Sequence, residues 1–121
     1  MMMDNRQMWR DLGKTFVIQS DALGRGEDEL GNLLMASFLR LLGDSPEKPE
    51  RMIFWNTGAR LVCEGSMVLD HLKKLADQGV EILACTTCLE YFDLTGKLKV
   101  GKPTTMVKSI QSMLGSDTVC L

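Results

Sequence analysis

Two cysteines separated by two residues, Cys85 and Cys88, follow an apolar run at 80–84. A pair at this spacing can bind a metal, form a redox disulfide, carry sulfur as a persulfide, or pack as two core thiols. Thr86 and Thr87 lie between them and offer hydroxyl donors to an anion. The second cysteine is within reach of a persulfide or mixed disulfide on the first. The spacing therefore indicates sulfur chemistry, with Cys85 and Cys88 as candidate catalytic residues.

The other cysteines and the single histidine argue against most of the alternatives. A structural zinc site needs four ligands, but Cys63 and Cys120 are isolated and His71 is the only histidine. We therefore predict no metal site. Covalent haem attachment needs a histidine directly after the second cysteine, where this chain has Leu89. A thioredoxin-like redox pair fits poorly, because this pair follows the third predicted strand rather than the first. Two packed core thiols remain an open alternative.

Composition excludes several classes of function. The formal net charge is −2 and there is no basic run, so we predict no binding to nucleic acid. The polar N-terminus lacks the apolar segment of a signal peptide, and no stretch approaches the ~18 apolar residues of a membrane span. These features predict a cytoplasmic protein without membrane association. Thiols stay reduced in the cytoplasm, so the four cysteines indicate functional or buried thiols rather than structural bridges.

Short apolar runs alternate with amphipathic segments along the chain. The runs predict strands at 14–20, 51–56, 80–85, 97–101 and 117–121, with a loop at 57–65. Helices are predicted between the strands, and Ser66 is expected to cap the second. The first helix is predicted to bury Leu30, Leu33, Leu34, Phe38, Leu41 and Leu42. The last is predicted to begin at Pro103 and to bury Met106, Val107, Ile110, Met113 and Leu114.

Five strands alternating with four helices predict a single three-layer α/β/α domain with a five-stranded, mainly parallel sheet. The domain is predicted to span residues 14–121, with residues 1–13 as an N-terminal extension. The carboxyl ends of parallel strands gather ligand sites, so the loops after the first three strands should meet at one edge. Arg25 lies in the first of these loops, where it either presents a cation to a sulfur anion or belongs to a flexible turn. Cys63 lies in the second of these loops and is a candidate to approach Cys85.

Three ordered blocks resemble the YedF-type members of the DsrE/DsrF-like family: "SDALGRGEDELGNLLMASFL", "FWNTGARLVCEGS" and "ACTTCLEYFDLTGKLKVGKPTTMVKSI". The third resembles the family's Cys-Gly-Thr-Cys-Leu motif, with Thr86 in place of the glycine. The likeness spans about residues 14–121. The YedF protein itself also carries an N-terminal TusA-like sulfur-carrier domain. We expect this chain to correspond to the other domain alone.

The resemblance implies a sulfurtransferase-like protein that carries sulfur or selenium as a persulfide on a CxxC thiol. It places the recurrent cysteine at Cys85 and the second at Cys88. We expect Arg25, Thr86, Thr87 and Asn56 to bind the substrate and no cofactor to be needed. The implied partners are a donor protein (a cysteine desulfurase or a TusA-like carrier), an acceptor protein and further copies in a homo-oligomer. The alternative is a non-catalytic oligomeric interaction subunit with redox-sensitive thiols.

Overall fold

The computed structural model describes residues 13–121, so the predicted extension at 1–13 lies outside the described residues except for Gly13. Within residues 13–121, five strands and four α-helices alternate, as the sequence predicts. The strands are β1 (Lys14–Ile18), β2 (Arg51–Phe54), β3 (Glu81–Cys85), β4 (Lys102–Thr104) and β5 (Asp117–Cys120). The α-helices are α1 (Asp28–Asp44), α2 (Leu69–Asp77), α3 (Thr86–Tyr91) and α4 (Met106–Leu114). Two 3₁₀ segments, Asn56–Val62 and Thr95–Lys97, complete the described elements.

All strand pairs are parallel, and the strands lie in the order β4-β3-β2-β1-β5. The chain moves in one direction from β1 to β4, so right-handed crossovers place α1, α2 and α3 on one face of the sheet. The return from β4 to β5 reverses direction and places α4 on the other face. The predicted three-layer α/β/α architecture is therefore confirmed. No helix within residues 13–121 is long and apolar enough to cross a membrane.

The main core lies between the sheet and the layer formed by α1 and α2. Strand residues on this face are Ile18, Met52, Phe54, Ile82 and Ala84, and they pack with Met35, Leu39 and Leu72. The alternate strand residues Val17, Ile53, Leu83 and Cys85 are also buried but lie outside this cluster. Because successive strand side chains point to opposite faces, these residues lie on the α4 side of the sheet. Cys85 therefore faces the layer that α4 forms.

The predicted buried face of the first helix is wrong. In α1 the buried residues are Gly31, Met35, Leu39 and Gly43, with Phe38 and Leu42 partly buried. Four of the predicted core leucines are exposed instead: Leu30, Leu33, Leu34 and Leu41. The helix carries two apolar stripes, and the stripe that contains Gly31 faces the protein. The packing there is close, since a Cβ at Gly31 would lie 2.7 Å from the side chain of Ala22. Glycine at this position allows the close approach that a leucine would prevent.

The fourth predicted strand is displaced along the chain. Residues 97–101 form no regular strand, because the N–H groups of Lys99 and Val100 donate to the carbonyl of Val62, and Leu98 forms a single antiparallel bridge with Cys63. The strand follows at Lys102–Thr104, after Gly101 turns the chain at φ +81°. This strand lies at the edge of the sheet, where proline is tolerated.

The last helix begins later than predicted and buries a different face. Pro103 belongs to β4, and α4 begins at Met106. Thr105 is its N-cap, with Oγ1 accepting a hydrogen bond of 3.2 Å from the N–H of Lys108. Ser109 is buried, and the predicted core residues Met106, Val107, Ile110 and Leu114 are exposed. A small hydroxyl residue, bonded to the Thr105 carbonyl, lets α4 lie close to the sheet.

The connection between β2 and α2 is more regular than the predicted loop, since much of it forms the 3₁₀ segment at Asn56–Val62. Ser66 does not occupy the N-cap of α2, which is Val68. It supports that helix start by accepting a hydrogen bond of 3.2 Å from the N–H of Val68. The apolar side of α2 packs inward, with Leu72 and Leu75 fully buried.

Candidate functional site

A pocket opens at the carboxyl edge of the sheet, where β1, β2 and β3 end side by side. Ile18 pairs with Phe54 and Phe54 with Ala84, so the next residues of the three strands are neighbours: Gln19, Trp55 and Cys85. The pocket has a volume of about 540 Å³. Its lining consists of Gln19, Trp55, Asn56, Cys85, Thr87, Cys88, Tyr91, Phe92 and Met106. The two predicted catalytic cysteines therefore share one pocket.

The two thiols differ in exposure. Cys85 ends β3 and is 5% exposed, whereas Cys88 lies in the first turn of α3 and is half-buried. Thr86 opens α3, and among the described non-glycine residues only Asn56 and Asp93 have positive φ. The backbone at position 86 is therefore one that threonine adopts without strain, and the fold does not require the glycine of the YedF motif there.

The backbone N–H of Asn56 donates a hydrogen bond of 3.1 Å to Sγ of Cys88. Asn56 has φ +52°, in the left-handed region that asparagine tolerates better than most residues. Its Oδ1 accepts a hydrogen bond of 2.8 Å from the N–H of Thr57. The segment packs closely against β1 at Gly58. Any Cβ at this position would collide with the carbonyl oxygen of Ile18, so glycine allows the contact. The strained turn after β2 thus aims one N–H at the second cysteine.

The pKa of Cys88 is raised. Burial is the largest cause, the hydrogen bond with the Cys85 side chain acts in the same direction, and the N–H of Asn56 opposes both. Negative charge on Cys85 raises the pKa of Cys88 further. A position in the first turn of a helix usually favours a thiolate, but the pKa of Cys88 is shifted in the opposite direction. Cys88 therefore stays protonated at neutral pH, as a hydrogen-bonding neighbour of Cys85.

The predicted substrate-binding residues are only partly brought together. Asn56 and the exposed Thr87 line the pocket with the cysteines. Thr86 is half-buried in α3 and does not line it. Arg25 is exposed in the loop before α1, also away from the lining. In the described part of the chain, no Asp, Glu, Lys, Arg or His side chain lines the pocket.

Several aromatic and apolar lining residues were not predicted. Gln19 and Trp55 directly follow the first two strands, a position that could have marked them as edge residues. Tyr91 is 82% exposed and packs edge-to-face on Phe92, with ring centroids 5.0 Å apart. The guanidinium of Arg60 lies 4.4 Å from the centroid of the Phe92 ring. No sequence signal in α3 distinguishes these aromatic residues from core residues.

The remaining cysteines lie apart from this site. Cys63 is buried, its Sγ donates to the carbonyl of Ala59, and it lines a separate pocket of about 470 Å³. Burial raises its pKa. It does not join Cys85 in the pocket. Cys120, which its place in an apolar terminal strand predicts as a core residue, is instead exposed on β5. Among residues 13–121 no three His, Cys, Asp or Glu side chains are grouped to hold a metal ion.

Comparison with known proteins identifies the fold. The YchN protein of E. coli superimposes with a TM-score of 0.68 at 14% identity, covering 90% of this chain and 99% of YchN. MTH1491 of Methanobacterium thermoautotrophicum, a protein of unknown function, gives 0.61 at 22% identity, with 89% and 97% covered. BT1422 of Bacteroides thetaiotaomicron, also of unknown function, gives 0.61 at 18% identity, with 94% and 98% covered.

No family model matches the sequence, and no curated protein matches it. The structural likeness therefore establishes the fold alone, an α/β fold that this chain shares with these three proteins. At these identities the neighbours assign neither a substrate nor a reaction to Cys85 and Cys88.

Proposed function

We propose that this protein carries sulfane sulfur, or selenium by the same chemistry, as a persulfide on Cys85. The Cys85 thiolate attacks the outer sulfur of a donor cysteine persulfide. A new S–S bond forms at Cys85, the donor S–S bond breaks, and the donor cysteine leaves as a thiolate. No oxidant is consumed, because the sulfur arrives already at the persulfide level. The reaction needs no cofactor.

The shared pocket of the two cysteines is the observation that carries this proposal. Cys85 is shielded from bulk water, which protects a persulfide, and Cys88 shares its pocket. The backbone N–H of Asn56 donates to Sγ of Cys88, so it would stabilise negative charge there when the persulfide moves to Cys88. Trp55, whose buried Nε1 has no acceptor among the described residues, lines the same pocket. The hydroxyl of Thr87 lies on the same rim.

Cys88 then serves as the second thiol of the relay. If its sulfur attacks the inner sulfur of the Cys85 persulfide, a Cys85–Cys88 disulfide forms and hydrosulfide leaves. If it attacks the outer sulfur, the persulfide moves to Cys88 and Cys85 returns to a thiol. Both steps balance without a further reactant, because the proton of the Cys88 thiol passes to the departing sulfur, and both use the pocket that the two side chains share.

The YedF-like blocks of the sequence support the choice of partners. The donor is a cysteine desulfurase or a TusA-like carrier protein, the acceptor is a second thiol protein, and the relay operates in the reducing cytoplasm. A 540 Å³ pocket is far larger than one sulfur atom, which is consistent with a donor side chain entering it. Arg25, exposed on the loop before α1, is a candidate contact for the donor protein rather than for sulfur in the pocket.

The test is sulfur loading followed by intact-mass spectrometry. Reduced wild-type protein, incubated with a cysteine desulfurase and cysteine, is expected to gain one sulfur atom that a reductant removes. Cys85→Ser is expected to gain none, and Cys88→Ser is expected to accumulate the persulfide. Cys120→Ser, which changes an exposed thiol outside the pocket, is the matched control and should load like wild type. A fully loaded Cys85→Ser protein contradicts the proposal.

One observation favours a second candidate function, a non-catalytic interaction subunit. Apolar side chains are exposed on both α1 and α4, and such surfaces mark contacts with other chains. The raised pKa of Cys88 also suits a thiol that is inert at neutral pH. This candidate predicts that folded, reduced wild-type protein takes up no sulfur from the desulfurase.

A further inference from the structure

The exposed leucines of α1 form a surface that the fold leaves uncovered. We define the α1 surface by Leu30, Leu33, Leu34 and Leu41, each close to half exposed or more. These positions follow the i, i+3, i+4 spacing of one helix face, opposite the buried residues Met35 and Leu39. An ordered apolar stripe of this kind, on a chain of net charge −2, indicates a protein contact rather than a solvated face.

The charged residues beside the stripe are arranged symmetrically about its centre. Glu29 and Arg40 lie equally far, about 8 Å along the helix axis, from the midpoint between Leu34 and Met35. They are separated by about three helical turns, so they lie on the same flank of α1. Both are exposed, and neither forms an ion pair with another described residue.

We propose that two copies of this chain associate through α1 as an antiparallel, two-fold symmetric pair. A two-fold axis perpendicular to the helix at its midpoint keeps each flank on the same side of the pair and reverses the helix direction. Glu29 of each copy then comes to the height and flank of Arg40 on its partner, which forms two ion pairs. A parallel pairing would bring neither residue to an opposite charge.

The same symmetry groups the leucines. Leu33 and Leu34 of both copies meet at the two-fold axis, and Leu30 of each copy lies near Leu41 of its partner on either side. The charges and the apolar side chains therefore select the same arrangement. A contact between α1 and the exposed face of α4 is less suitable, because it is not self-complementary and would leave free surfaces at both ends of a growing chain. This inference does not depend on the proposed sulfur chemistry.

The experiment is a measurement of mass in solution, by light scattering or sedimentation, on the full chain at micromolar concentration. The wild type is expected at twice the 13.5 kDa of one chain, or at an even multiple of that. Leu34→Glu, which places two carboxylates at the axis, is expected to lower the mass by half or more. Circular dichroism establishes that the variant remains folded, as expected for an exposed position.

A charge exchange tests the geometry. Arg40→Glu and Glu29→Arg are each expected to raise the dissociation constant by about tenfold or more, because each puts like charges together. The double variant Glu29→Arg/Arg40→Glu is expected to restore association. Leu114→Glu, at an 84% exposed leucine on α4, is the matched control and should not change the mass. A monomeric wild type, a dimer that survives Leu34→Glu, or a charge exchange that restores nothing would overturn the proposal.

Discussion

At the scale of single residues, the properties of the site come from two neighbouring thiols with different surroundings. Cys85 ends a buried strand, and Cys88 lies in the first turn of the following helix and lines the same pocket. Burial and the adjacent sulfur keep Cys88 protonated, and the Asn56 N–H only partly offsets them. Cys88 is therefore a protonated neighbour of the proposed nucleophile Cys85.

Alkylation of Cys88 as a function of pH tests this coupling. Because its pKa is raised, Cys88 should react with iodoacetamide only at higher pH than a free cysteine, whose pKa is about 8.5. In Cys85→Ala the hydrogen bond and the negative charge are both removed, so the pKa of Cys88 should fall and its reaction should begin at lower pH. Peptide mass spectrometry measures each site, with the exposed Cys120 as an internal reference. An unchanged profile for Cys88 would show that the two thiols are not coupled.

At the scale of elements, the position of the Asn56 N–H depends on how the 3₁₀ segment is seated on β1. Gly58→Ala is expected to destabilise the protein by about 2 kcal/mol or more, because the added methyl group collides with backbone that cannot rotate away. Gly96→Ala is the matched control, since its Cβ would meet nothing within 4 Å and its φ is not positive. It should be neutral or slightly stabilising. Urea unfolding of the two variants measures both effects, and equal costs would contradict this role for Gly58.

The orientation of α1 gives a second prediction at this scale. Leu39 is fully buried and Leu33 is 64% exposed on the same helix, so a leucine-to-alanine change at each position tests the two faces. Leu39→Ala is expected to lower the free energy of unfolding by about 2–5 kcal/mol, and Leu33→Ala by about 0.5 kcal/mol or less in dilute protein. Denaturant unfolding distinguishes them. A larger cost at Leu33 would restore the face that the sequence pattern favours.

The sequence pattern predicts the elements better than the faces they bury. The alternation of strands and helices defines the parallel sheet, and the end of the third strand places Cys85 at its functional edge. Hydrophobic periodicity is not sufficient for α1, because the helix has two apolar stripes and only the packing at Gly31 selects between them. The contact from Asn56 to Cys88 joins two helical segments 32 residues apart in the sequence, so local spacing does not indicate it.

At the scale of the whole molecule, the sheet separates two surfaces with different roles. Cys85 lies on the α4 side of the sheet, at its carboxyl edge. The α1 surface is the outer side of α1, which packs on the opposite face of the sheet. Pairing of two copies through α1 therefore leaves the pocket open to a donor protein. It also predicts that sulfur loading and self-association can be changed independently, so Leu34→Glu should load sulfur like wild type.

Mapping the loaded sulfur atom to one residue tests the central claim most directly. Wild-type protein and the Leu34→Glu control would be loaded by a cysteine desulfurase, alkylated at once, digested and sequenced by tandem mass spectrometry. We predict the additional sulfur on Cys85 in both proteins, with none on Cys63 or Cys120. Sulfur found only on a cysteine outside the pocket, or on none in a folded and reduced protein, would contradict a persulfide carrier built on Cys85.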